Sequence, residues 1–100
     1  MSLDVLNEKI LDWGTEKGIL PGAEPLAQLE KTEEEVAELR HAINEHDIAE
    51  VKDAIGDIYV TIAMQAEAWN FTMEECVQAA YDVIKGRTGK MIDGKFVKDN

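Results

Sequence analysis

Glu50-Val51-Lys52-Asp53-Ala54-Ile55-Gly56-Asp57-Ile58-Tyr59-Val60 is the stretch that decides how this chain folds. Within and around it, Ile48, Val51, Ile55, Ile58, Ile62, Ala66 and Trp69 recur at three- and four-residue steps, the period of one helical face. Glu50, Asp53 and Asp57 repeat along a second face of the same helix, which Val60 and Met64 continue. A helix that is apolar nearly all round in its second half is a central one. Its acids therefore point into the protein or an interface, unlike an ordinary solvated charge stripe. One helix earlier, Glu34-Glu35-Val36-Ala37-Glu38 sets Glu35 and Glu38 on the flank of the apolar face formed by Leu26, Leu29, Val36, Leu39 and Ile43. If the two helices lie side by side, carboxylates from both converge. Such a cluster is unstable through repulsion and lost hydration unless a cation neutralises it. Hard oxygen ligands suit Mg2+, or Mn2+, and Mg2+ held by carboxylates commonly serves to grip phosphate.

Working outward, the pattern is all-α. Helices are expected over residues 4–17, 25–44, 47–70 and 73–85, followed by a short extended tail over 86–100. Ser2 is the expected N-cap of the first helix and Gly18 its stop. Pro25 suits the first turn of the second. Thr72 and Glu75 form a capping box at the start of the fourth. In the tail, Asp93-Gly94 marks a turn between two extended pieces.

The 100 residues make a single domain, and 45% apolar content is enough to fold it. A net charge of −11 argues against binding duplex nucleic acid, which requires a basic stripe. No apolar run reaches the ~20 residues a membrane span needs, and no signal peptide is visible. The lone Cys76 fits a reducing, cytoplasmic setting and reads as a small apolar residue on a helix.

Helices two and three resemble the MazG-like all-α nucleoside triphosphate pyrophosphohydrolases, a superfamily that includes the dimeric dUTPases and the phosphoribosyl-ATP pyrophosphatases. The signature is E-x-x-E on one helix and E-x-x-D on the next. Glu35-Val36-Ala37-Glu38 matches the first half, and Ile55-Gly56-Asp57 matches the second around the Asp. The tail, from Tyr81 through Lys85, Arg87 and Gly89-Lys90-Met91 to Phe96-Val97-Lys98, is similar to that of small, single-domain phage-type members. One position departs: where the family has Glu three residues before the Asp, this chain has Ala54. Asp53, with Glu50, is the expected substitute ligand.

The resemblance implies a four-helix MazG-like bundle that assembles as a homodimer or homotetramer, with its site near the interface. It implies cleavage of a nucleoside triphosphate between the α and β phosphates by water, giving a monophosphate and pyrophosphate, as nucleotide-pool house-cleaning. Glu35, Glu38 and Asp57 would hold Mg2+, and Glu34 or Glu35 would take the water's proton. Lys85, Arg87 and Lys90 are the expected phosphate partners, set against a simpler role in complementing a helix dipole. Asp82, one turn before Lys85, could orient it or contact a metal. Trp13 is the preferred base-stacking candidate over Trp69 and Phe71, because the first helix has the weaker apolar stripe. His41 and His46 read as surface groups, and Lys31 as half of a helical ion pair.

The rival reading is a non-catalytic acidic dimerisation or regulatory module. It explains the amphipathic helices and the charge, but not the inward acids of the third helix or the basic tail. A calcium-binding protein is the weaker rival, since no D-x-D-x-D-G loop occurs and the acids are helical.

Overall fold

The computed structural model describes all residues, Met1–Asn100. Four helices run in order: α1 (Leu3–Glu16), α2 (Pro25–Asn44), α3 (Ile48–Ala68) and α4 (Met73–Ile84). A hairpin of β1 (Gly89–Ile92) and β2 (Lys95–Lys98) follows. The all-α architecture with a short extended tail is therefore the one the chain adopts. No helix is long and apolar enough to cross a membrane.

Local chemistry sets the boundaries. The Ser2 hydroxyl accepts from Val5 N–H and starts α1, and Gly18, with φ of 78°, supplies the left-handed residue that ends it. The Glu24 carboxylate caps α2 by accepting from Leu26 and Ala27 N–H, and Asp47 caps α3 by accepting from Glu50 N–H. Thr72 and Glu75 close both halves of the capping box on α4. Asp93 and Gly94, with φ of 50° and 79°, make the tight turn that pairs Met91 with Phe96.

α2 and α3 form an antiparallel pair whose seam is small and polar. Thr32 donates to Thr61 Oγ1 at 2.9 Å, and Thr61 in turn donates to the Ile58 carbonyl at 2.8 Å. Gln28 reaches the Thr61 carbonyl at 3.2 Å and Gln65 the Pro25 carbonyl at 2.9 Å. Ala42 and Ala54 are buried beside them, Ala54 completely. Short side chains let the two backbones approach closely.

This corrects the expected core. Of the large residues in the apolar stripes, Leu26, Leu29, Val36 and Ile43 on α2, and Ile48, Ile55 and Trp69 on α3, remain exposed. The periodicity identifies a face correctly, but only Ala66 of it is buried and Leu39, Val51, Ile58 and Ile62 half-buried, while its remaining large residues stay exposed. α1 packs on α3, where Gly14, lacking a Cβ, makes room for the buried Met64. α4 meets only α3, and the hairpin packs against no helix.

Candidate active site

The short Glu45-His46-Asp47 connection folds α3 back along α2, and the threonine seam fixes their register. Glu35 lies one turn beyond Thr32, and Asp57 one turn before Thr61. Glu35, Glu38 and Asp57 consequently offer carboxylate oxygens that all lie within 4.8 Å of one another. Oxygens around an octahedral Mg2+ lie about 2.9 to 4.2 Å apart, from bonds of about 2.0 to 2.1 Å, so small side-chain rotations would close the set.

The electrostatics of the cluster are those of uncompensated acids. Glu35 Oε2 is buried with no hydrogen-bond partner, a costly arrangement for a carboxylate. Burial, then the adjoining Glu38 carboxylate, raises the pKa of Glu35 above the ordinary carboxyl value. Burial, then the Asp53 carboxylate, does the same for Asp57. A divalent cation would relieve both effects. The orphaned oxygen and the all-oxygen donor set fit a hard cation such as Mg2+.

The remaining acids are spread around this centre. Asp53 is exposed but close enough to Asp57 to disfavour its charge. Glu50 is exposed in the first turn of α3. Glu34 turns away and forms an exposed ion pair with Lys31 at 2.6 Å, so it stands outside the cluster. Ala54 is fully buried, so a longer side chain there would have to displace its neighbours.

The expected phosphate partners lie elsewhere. Lys85 pairs with Asp82 at 3.4 Å on the exposed end of α4. Arg87 and Lys90 are exposed in the linker and hairpin. None of them lines the grooves that Asp57 lines. Those grooves run between α1 and α3 and hold two cations of their own, Lys52 in a section of about 620 Å³ and Lys9 in a section of about 320 Å³. Trp13 lines the smaller section together with Asp57. Trp69 instead donates its indole N–H to Gln65 at 3.1 Å. The sequence reading assigned no role to Lys9 or Lys52. The spacing of Lys9 and Trp13, four residues apart on one face of α1, was the available signal. The Tyr59 hydroxyl donating to Asn7 at 2.7 Å, which ties α1 to α3, was equally unseen.

The site is thus a carboxylate cluster on an all-α helical pair, with Asp57 also lining the groove against α1. Residues 23–92 match the MazG nucleotide pyrophosphohydrolase domain, and the chain belongs to that family. No curated protein gives a significant match. No solved structure does so either.

Proposed function

We propose that the chain is a divalent-metal-dependent nucleoside triphosphate pyrophosphohydrolase that releases a nucleoside monophosphate and pyrophosphate. The observation that carries this reading is the meeting of Glu35, Glu38 and Asp57 around a buried carboxylate oxygen with no partner. Mg2+ or Mn2+ bound there supplies electrophilic activation of the α-phosphoryl group and of water.

The chain's own residues do the rest. Glu35, Glu38 and Asp57 hold the ion, and Asp53 lies behind Asp57 to strengthen the local field. Glu35 is also the carboxylate proposed to accept a proton from water, since it lies in the cluster itself. Glu34, engaged by Lys31, is the weaker choice of the two. Lys52 and Lys9 flank Asp57 from the groove side and supply positive charge for phosphate oxygens.

We further infer a homo-oligomer. The accessible surface of one chain is 7764 Å², against about 5,700 Å² for a compact monomer of this mass. Its radius of gyration is 15.6 Å, against about 13 Å for a compact 100-residue domain. The excess of about 2,000 Å² is the scale of an obligate interface. In such an assembly Lys85, Arg87 and Lys90 would serve the carboxylates of another copy. The setting proposed is the cytoplasm, with pool cleaning as the role.

The test is pyrophosphate release from mixed nucleoside and deoxynucleoside triphosphates, with and without Mg2+. Release that requires Mg2+ and is lost in Glu38→Gln supports the enzyme. Mg2+ binding without release would favour the regulatory-module reading.

A further inference from the structure

We propose that the groove between α1 and α4 is the seat of a second copy's β-hairpin, each arm of a two-fold pair entering the other copy's groove. This deepens the homo-oligomer reading above by naming the two surfaces that meet, and it is independent of the chemistry at the carboxylates.

Charge is divided unevenly along the chain. Residues 85–100 hold five of its ten Lys and Arg and only two of its 21 Asp and Glu, a net +3, which leaves −14 on residues 1–84. The hairpin in this basic segment packs against no helix, and a two-stranded hairpin alone is marginal in water. Its pairing of Met91 with Phe96 and of Gly89 with Lys98 puts these four residues on one face. The Phe96 ring lies against Gly89, where any side chain would collide with it. Met91 and Phe96 are nevertheless 65% and 53% exposed. The face is an apolar wedge edged by a lysine, and its own chain leaves it uncovered.

The groove has the matching chemistry. Its volume is about 780 Å³, and Met73 and Val77 give it apolar surface from α4. Asp4 and Glu8 of α1, Glu67 of α3 and Glu74 of α4 also line it, and no Lys or Arg does. The chain's two ion pairs lie elsewhere, so these four carboxylates are free to meet incoming cations. The groove follows α4 from Tyr81 back to Thr72, about 14 Å, whereas the arm leaves from the Ile84 end and touches no helix of its own chain. A copy related by a two-fold axis supplies the arm from outside. The exchange is reciprocal, so the pair closes with both grooves filled and both hairpins covered.

The experiment is sedimentation of the full chain at micromolar concentration, with two variants. Phe96→Ser blunts the arm, and Glu8→Lys combined with Val77→Lys blocks the groove. All three positions are exposed, so the helices are kept, which circular dichroism checks. Each variant should self-associate at least about 30-fold more weakly than wild type. Mixed one to one, the two should associate more tightly than either does alone, because the intact arm of one fits the intact groove of the other. Wild-type association in either variant, or a mixture no tighter than its parts, overturns the proposal and leaves the homo-oligomer reading standing. A wild-type chain that stays monomeric overturns both, and assigns the groove to a different protein or to none.

Discussion

The α2–α3 pair and the α4–hairpin arm are built to opposite rules. The pair is joined through a continuous polar seam, its smallest residues buried and its register fixed by Thr32 and Thr61. The arm has no buried residue in α4, and its strands touch only each other. Val77, Tyr81 and Ile84 repeat along one side of α4 and are 58%, 55% and 52% exposed. The pair is joined within one chain along its seam, although its outer apolar faces stay exposed, and it carries the carboxylates. The arm is well formed locally, with a full capping box and a tight turn, yet it lacks anything to pack against. Secondary structure here is decided by local signals, independently of burial.

The contrast can be broken most severely at the carboxylates. Glu38→Gln should reduce Mg2+-dependent turnover by about 10²- to 10³-fold, with unchanged helicity by circular dichroism. Retained turnover would show that the pair is not where the chemistry lies. Next comes the arm. Tyr81→Asp should weaken self-association by about 30-fold or more, as expected for a central aromatic anchor, visible as a shift to smaller species in sedimentation. An unchanged sedimentation coefficient would mean that the arm is not the docking face.

The seam gives a finer test. Thr61→Val removes the 2.9 Å acceptor of the buried Thr32 hydroxyl, leaving only the Gln28 carbonyl at 3.4 Å, and should cost about 1 kcal/mol or more in denaturant unfolding. Adding Thr32→Val should recover most of that loss, since an apolar pair replaces a matched polar one. A double variant as unstable as the single one would show that the hydroxyls matter for shape and not for pairing. Thr72→Ala removes one half of the capping box and should cost about 1 kcal/mol, confined to α4 and detectable by amide exchange there.

The smallest signal is in pH. Glu35 and Asp57 have pKa values raised in the folded chain, so the folded state holds their protons more tightly than the unfolded one. Their contribution to stability is present at pH below the ordinary carboxyl range and is lost as pH rises through the raised values. Metal-free wild type should therefore lose melting temperature relative to Glu35→Gln over that rise. Mg2+ should reverse the order at neutral pH, and parallel curves in both conditions would contradict the burial of Glu35.

Helix identities, the Thr72 capping box and the Asp93-Gly94 turn were legible because each depends on neighbours a few residues away. The apolar stripes were legible as faces only. Nothing in the spacing of Ile48, Ile55 or Trp69 says whether the surface that covers them comes from the same chain. Threonine is ambivalent between core and surface, so the seam at Thr32 and Thr61 left no periodic trace. The acids of α2 and α3 could be placed on facing helices, but the orphaned Glu35 oxygen belongs to three dimensions. Lys85, Arg87 and Lys90 stood out because they cluster along the chain. Lys9 and Lys52 did not, because only the docking of α1 on α3 brings them to Asp57.

The buried alanine at position 54 bears on substrate attraction. A doubly charged cation held by Glu35, Glu38 and Asp57 would leave these three carboxylates one excess negative charge, whereas a fourth carboxylate at that position would leave two. Were the proposed cation bound there, an alanine in place of a fourth carboxylate would lower the electrostatic barrier facing a polyanionic substrate, at the expense of a looser grip on the ion.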